Sequence, residues 1–141
     1  MNGTNIDILN PFATMIADAA DIRDALREAV GNLELAIERD TLARRTAKEA
    51  RENYDAAEAE FVAETLPVCD AKNAEGRKAQ LDAALVAARS TGTLAAAWAR
   101  MNAASYEAED AKMALEQASK RFRATESAAD LTAAMLRAAT R

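Results

Sequence analysis

LPVCDAKNAEGRKAQ, residues 66–80, is the stretch that divides this chain into two long helical patterns. Pro67 has no amide donor and disfavours helical geometry at Leu66, so it ends the helix before it. Asn73 is a residue type that caps exposed N–H groups, and it predicts a short helix over about residues 74–89. We therefore interpret the stretch as the turn of a helical hairpin.

The composition favours helices on both sides of this turn. Alanine occupies 38 of the 141 positions, whereas glycine occurs four times and proline twice. Alanine is the best helix former because it has no side-chain rotamer entropy to lose. We therefore predict an all-α protein: a long antiparallel two-helix coiled-coil hairpin with a short connector helix, assembled into an oligomeric bundle.

Before the turn, an apolar seam runs at alternating spacings of three and four residues, the repeat of a left-handed coiled coil. Asn10 is the predicted cap and Pro11 the first residue of this helix. One position of the seam is polar, Asp40, and a polar layer of this kind fixes register at some cost in stability. The seam consists of Phe12, Met15, Ala19, Ile22, Leu26, Ala29, Leu33, Ala36, Asp40, Ala43, Ala47, Ala50, Tyr54, Ala57 and Phe61.

A second seam follows the turn and keeps the same spacing to the end of the chain, with Thr91 or Thr93 as its predicted cap. It consists of Leu94, Ala97, Met101, Ala104, Ala108, Ala111, Leu115, Ala118, Phe122, Thr125, Ala129, Thr132, Leu136 and Ala139. The predicted organisation is a flexible segment 1–10 followed by one hairpin domain, 11–141. Within the domain, we predict long helices over 11–66 and 92–140. The connector over 67–91 contains the short helix.

The two seams predict a register for the hairpin. In an antiparallel helix pair, the numbers of the two residues in each layer have a constant sum. A sum of 158 places a large side chain opposite a small one in nearly every layer, as with Tyr54 and Ala104. This register also sets Lys120-Arg121-Arg123 level with Glu34 and Glu38, and sets Arg44, Lys48 and Arg51 level with Glu107, Glu109, Asp110 and Glu116. A shift of one heptad, to 151 or 165, is the alternative.

Charge and composition exclude several classes of protein. The formal charge is −5, with seven basic and fourteen acidic side chains in residues 1–65 and eleven basic and nine acidic in 66–141. The basic clusters alternate with acids, so a nucleic-acid partner is possible but not favoured. No run is long and apolar enough for a membrane span, so we expect a cytoplasmic protein.

No pattern of residues predicts catalysis or a cofactor. The chain has no histidine and a single cysteine, Cys69, which excludes the usual zinc ligand sets and leaves no base to activate the thiol. Glycine-rich phosphate loops are absent, and the carboxylates fall on outward positions. We therefore expect no enzyme, no metal and no small-molecule substrate.

Two groups of residues are candidates for binding a partner. Lys72, Arg77 and Lys78 in the connector, with Arg89 at its end, are basic residues for which the hairpin provides no acidic partner. The second group is apolar and lies outside the seams, where a two-helix hairpin is too thin to bury it, so it indicates self-association or docking onto another protein. Its members are Val30, Leu35, Ile37, Leu42, Trp98, Met113, Leu131 and Met135. Scattered surface positions, with Trp98 under the connector helix, are the alternative interpretation.

The layout of two long Ala-rich helices around KNAEGRKAQLDAAL resembles small coiled-coil proteins encoded by phages and prophages, most of them uncharacterised. The specific part of the resemblance consists of Lys72, Asn73, Glu75, Arg77, Lys78, Ala79, Leu81 and Leu85. It implies a cytoplasmic accessory protein of a bacterial or phage-infected cell, without defined catalytic residues.

We therefore predict a non-enzymatic interaction or scaffolding protein that acts through its helix faces. Two alternatives stay open at this point. One is a nucleic-acid-associated accessory factor, which requires exposed basic patches. The other is an acidic inhibitor that occupies the basic groove of a partner protein with its first helix.

Overall fold

The computed structural model describes the backbone of residues 11–141 and the side chains from residue 13 onward. Its elements in chain order are α1 (Pro11–Thr65), a 3-10 turn (Leu66–Val68), α2 (Ala74–Ser90) and α3 (Ala95–Ala139). No strand occurs in this part of the chain, so the all-α prediction is confirmed, with its long helix pair and short connector helix. The oligomeric bundle stays a prediction. The predicted segment 1–10, the cap Asn10 and the side chain of Phe12 lie outside the described residues.

The chain divides into two units, each built from parts of both long helices. Unit 1 comprises the residues up to Glu38 together with Met113–Arg141, and unit 2 comprises Arg39–Lys112. In unit 2, Arg39 bonds to Glu107 whereas Tyr54 contacts Trp98, so rising numbers in α1 match falling numbers in α3. The two helices are therefore antiparallel there, as predicted.

The connector is held by its own side chains. The Asn73 side chain accepts a hydrogen bond of 2.7 Å from the Gly76 amide, which confirms the predicted cap of α2. The Gln80 side chain accepts from the Ala71 amide at 3.2 Å and donates to the Asp70 carboxylate at 2.7 Å. These bonds satisfy backbone and side-chain groups at the turn, so α2 begins at a defined point.

The passage from α2 to α3 depends on a close backbone approach. The Gly92 amide donates to the Ala88 carbonyl at 3.1 Å, and a Cβ at Gly92 would lie 2.7 Å from the Ala88 Cα. Thr91 ends α2, since its amide donates to Ala87, and α3 begins only at Ala95. The prediction that Thr91 or Thr93 caps α3 is wrong, because Leu94 is the residue that precedes the helix.

The core of unit 2 lies where α2 meets the two long helices. Its most buried members are Leu94, at 2% exposure, Tyr54 and Ala88. Leu85 packs against this cluster, so α2 covers the hairpin with the face that carries Leu85 and Ala88. The other contributors are Ala57, Phe61, Ala97, Trp98 and Met101. Aromatic and large aliphatic side chains therefore make up much of this core.

The two predicted seams are confirmed by burial. Every member whose side chain is described is buried or half-buried, except Ala139 near the end of α3. Ala111 is fully buried and Asp40 is only 5% exposed, so the polar layer lies inside the helix pair as predicted. The 3-4 spacing therefore identifies the inward face of both helices.

The predicted register, with a sum of 158, is wrong in unit 2. In that register Arg39 would be level with residue 119, twelve residues or about 18 Å from Glu107. The structure instead joins the Arg39 guanidinium to the Glu107 carboxylate at 2.9 Å. The numbers of this pair sum to 146 and those of the Tyr54–Trp98 contact to 152, so both lie closer to the alternative sum of 151 than to 158. Alanine dominates both seams, so side-chain size alone fits the two registers about equally.

The predicted charge pairing between the helices is likewise not observed. Arg44 and Lys48 pair with Asp40 and Glu52 on α1 itself. Among the described side chains, no ion pair joins Lys120, Arg121 or Arg123 to Glu34 or Glu38. Fewer charged side chains of α1 and α3 therefore form ion pairs with the other helix than the sequence suggested.

Candidate interaction surfaces

At the turn end of unit 2, Arg89 of α2 has both a polar and an aromatic environment. Its Nε donates to the Tyr54 hydroxyl at 2.6 Å, and its Nη2 donates to the Glu58 carboxylate at 3.1 Å. The guanidinium carbon lies 4.7 Å from the ring centroid of Trp98 and 5.7 Å from that of Tyr54. The expectation that Arg89 has no acidic partner is therefore wrong.

The electrostatics of this cluster follow from its burial and bonds. Burial raises the pKa of the Tyr54 phenol, with the Glu58 carboxylate adding to the rise and Arg89 opposing it. Hydrogen bonding from Tyr54 and from Arg89 lowers the pKa of Glu58. Hydrogen bonds to Tyr54 and Glu58 raise the pKa of Arg89. The cluster thus joins α2 to α1 by charge-assisted hydrogen bonds.

Sequence reasoning missed this cluster, although part of its signal was present. Tyr54 and Glu58 are four residues apart and lie on one face of α1. Arg89 lies in the last turn of α2. Which face of α1 the connector helix covers depends on the path of the turn, and composition and spacing do not determine that path. Trp98 is half-buried beside Tyr54, and their ring centroids are 5.2 Å apart. This position agrees with the alternative interpretation, in which Trp98 lies under the connector helix.

The three remaining basic candidates behave as solvated residues. Lys72, Arg77 and Lys78 are exposed, and none of them forms an ion pair with another described side chain. Arg77 and Lys78 line a shallow groove of about 460 Å³. The rest of its wall is formed by Leu66, Pro67, Cys69, Ala74 and Leu81. The Cys69 thiol is half-buried and donates to the Thr65 carbonyl at 3.5 Å.

Unit 1 exposes most of the predicted apolar candidates. On α1, Leu35 is 65% exposed, and Val30 and Ile37 are exposed as well. On α3, Leu131 is 63% exposed, and Met113 and Met135 are also exposed. Ile16 is a further member that the sequence reasoning missed, although it lies two heptads before Val30 in the same row. Of the two other predicted members, Leu42 is exposed in unit 2 and Trp98 is half-buried there.

An exposed apolar row runs along the unit 1 part of α3, outside the seam. Its members are Ala124, Ala128, Leu131, Met135 and Ala138, at spacings of four, three, four and three residues, and all are exposed. This spacing repeats that of the seam, so the row forms a second stripe on one side of the helix. A helix with two such stripes is typical of a bundle in which each helix has two neighbours.

The interior of unit 1 is poorly developed by comparison. Among its described side chains only Ala29 is buried, whereas unit 2 buries seven, Tyr54 and Leu94 among them. The facing seam residues of unit 1 leave a groove of about 270 Å³ open to solvent. Six of them line it: Ala19, Ile22, Leu26, Ala129, Thr132 and Leu136. Unit 1 is therefore a helix pair that covers little of its own apolar surface.

The two helix segments of unit 1 carry opposite charge. Residues 13–38 of α1 contain six acidic and two basic side chains, a net charge of −4. Residues 113–141 contain three acidic and five basic side chains, a net +2 without the terminal carboxylate. Among the described side chains of unit 1, the one ion pair is between the neighbours Arg23 and Asp24, at 4.0 Å.

Comparison with other proteins identifies no relative for this fold or for these surfaces. No protein-family model, curated protein sequence or solved structure gives a significant match to the chain. Within residues 11–141, no helix is both long and apolar enough to cross a bilayer. In the same range, no three acidic or cysteine side chains lie together as metal ligands would.

Proposed function

We propose that this chain is a non-enzymatic interaction protein that binds its partner through the apolar helix faces of unit 1. The observation that carries the proposal is an imbalance within that unit. Its described part buries a single side chain, Ala29, and exposes seven large apolar ones. These are Ile16, Val30, Leu35, Ile37, Met113, Leu131 and Met135.

The free energy of burial favours a covered state. Removing the exposed half of a leucine or methionine side chain from water contributes about 1 kcal/mol. A helix pair that buries little apolar surface does not offset the conformational entropy lost when its side chains and backbone become ordered. A partner on unit 1 would supply that missing burial. Apolar surface collected in this way is also typical of protein-binding sites.

Unit 2 suits a structural role, because its turn and its helices are held by specific bonds. Its turn is fixed by the Asn73 cap, and α2 is joined to α1 by Arg89. Tyr54 and Leu94 fill its core. Because these bonds and this core hold the turn and its helices together, we assign unit 2 to holding the hairpin closed. The resemblance of the connector to phage and prophage coiled-coil proteins agrees with an accessory role of this kind.

Site-specific photo-crosslinking tests the proposal. A benzophenone amino acid replaces Met135 on the exposed row of α3, or Glu126 as the matched control. Both positions are exposed and belong to unit 1, and they lie nine residues apart, half a turn around the helix. Irradiation of cells that express the full chain should give a protein adduct from position 135 and little from position 126.

The size of the adduct identifies the partner as a second copy or another protein. Absence of an adduct from position 135, or equal adducts from both positions, would contradict the proposal. Circular dichroism of each purified variant confirms that the helices are retained before the yields are compared.

A further inference from the structure

We infer that the partner covering unit 1 is a second copy of this chain, with the acidic α1 segment of one copy against the basic α3 segment of the other. This inference rests on the proposed function and names the occupant of the binding face. It follows from three properties of unit 1: its opposite segment charges, the lack of ion pairs between the described side chains of its two segments, and the second apolar stripe of α3.

The charged side chains of unit 1 are available for a contact between copies. On α3, Lys120, Arg121 and Arg123 are exposed and form no ion pair with a described side chain. On α1, Glu28 and Glu34 are likewise exposed and unpaired in that part of the chain, as are Asp18, Asp21 and Glu38. Each copy therefore presents one acidic and one basic helix segment to solvent.

Charge complementarity selects among the possible contacts. Placing α1 on α1 brings together two segments of net charge −4, and placing α3 on α3 brings together two of +2. Like charges across an interface oppose association, whereas opposite potentials favour encounter and fix register. The contact that avoids both repulsions is α1 of one copy on α3 of the other. Because each copy has both segments, the same chain supplies both sides of the interface.

The apolar stripe of α3 provides the packing surface for this contact. Leu131 and Met135 project between the small residues Ala124, Ala128 and Ala138, which let a second helix approach closely. Large side chains alternating with alanine on one face allow knobs of a facing helix to enter. The seam of α3 already faces α1 of its own chain, so a helix from a second copy beside the stripe would complete a bundle.

A charge-exchange experiment tests the inference. One variant, K120E/R121E/R123E, makes both segments of unit 1 acidic. The other, E28K/E34K/E38K, makes both basic and leaves α3 unchanged. Each variant alone should self-associate about tenfold more weakly than the wild-type chain, because every α1–α3 contact between copies then joins like charges. An equimolar mixture should regain association, since each segment again meets its opposite on the other chain.

Light scattering after size exclusion measures the mass of each sample, and circular dichroism measures its helicity. A mixture that regains mass, or helicity lost in the separate variants, supports the contact between copies. A mixture that keeps the masses of its separate components overturns it. Continued self-association of E28K/E34K/E38K alone would also overturn it, because that result places the contact away from the acids of α1.

A second arm disrupts the apolar stripe of α3 by replacing its two large side chains. L131E/M135E should lose self-association, whereas V86E, which changes an exposed apolar residue of α2, should not. Equal behaviour of these two variants would overturn the assignment to the α3 stripe. The inference and the proposed function can fail separately. A wild-type chain that stays monomeric but crosslinks from position 135 to another protein would overturn the second copy as the partner and would leave the proposed binding face intact.

Discussion

Arg39 and Glu107 are 68 residues apart in sequence, and their side chains form an ion pair of 2.9 Å between α1 and α3 of unit 2. Both side chains are about half exposed, so the pair itself contributes at most about 1 kcal/mol to stability. Its importance is geometric. Together with the Tyr54–Trp98 contact, it favours a pairing sum of 151 over 158, because the two pairs sum to 146 and 152.

Cysteine pairs test this register directly. Ala43→Cys with Ala108→Cys sums to 151, and Ala50→Cys with Ala108→Cys sums to 158. In a Cys69→Ala background, the first pair should oxidise to an intramolecular disulfide under mild conditions. The second pair should not, because its residues are displaced by seven positions, about 10 Å along the helix. Mobility on a non-reducing gel measures the outcome, and the reverse preference would restore the sum of 158.

The link between α2 and α1 predicts a measurable coupling. A double-mutant cycle of Arg89→Met and Glu58→Gln should give a coupling free energy of about 1 kcal/mol at neutral pH from urea unfolding. Because hydrogen bonding lowers the pKa of Glu58 from 4.5, the coupling is present above that pH and disappears as pH falls through the lowered value. Arg77→Met, which removes an exposed cation without an ion pair among the described side chains, is the control. A cycle with no coupling would contradict the assigned role of Arg89.

The buried phenol of Tyr54 predicts a loss of stability in alkaline solution. Burial raises its pKa above 10.0 in the folded state, so its contribution to stability is complete below pH 10 and is lost as pH rises through the raised value. The free energy of unfolding of the wild-type chain should therefore fall more steeply than that of Tyr54→Phe between about pH 9 and 11. Parallel curves for the two proteins would show that the phenol is not buried as described.

Asp40 is predicted to lower the stability of the helix pair and to fix its register. Its Oδ2 pairs with Arg44 at 2.7 Å, but its Oδ1 is buried without a hydrogen-bond partner among the described residues. Asp40→Ala should raise the free energy of unfolding by about 1 kcal/mol, because a desolvated carboxylate oxygen is removed and Arg44 stays in solvent. The same change should let the A50C/A108C pair form a disulfide in part, since the polar layer no longer opposes a heptad shift. A destabilised variant with unchanged cysteine pairing would contradict both expectations.

The sequence predicted the helices and their inward faces because these depend on local properties. Alanine content, the break at Pro67 and the Asn73 cap specify the elements, and the 3-4 spacing specifies which residues are buried. Register was not predicted correctly, because alanine layers fit one another equally well after a heptad shift. The contact geometry at the turn decides between the shifts, and that geometry depends on how α2 packs over Tyr54 and Leu94.

The candidate surfaces show the same division between local and tertiary information. Exposure of Val30, Ile37, Leu131 and Met135 could be read from their positions outside the seams. The partners of Arg89 could not, since they belong to a helix more than 30 residues away in sequence. The imbalance of unit 1 also required the structure, because it appears only when buried and exposed side chains are compared within one unit.

The central claim is that the apolar faces of unit 1 are covered by a second copy of the chain. Sedimentation equilibrium of the unmodified protein, from about 1 to 100 µM, measures this most directly because micromolar association lies in that range. We expect the mass to rise with concentration from 15.1 kDa to twice that value or to a higher multiple. We also expect L131E/M135E to stay at the mass of one chain. A wild-type protein that remains at 15.1 kDa across the whole range would contradict the claim.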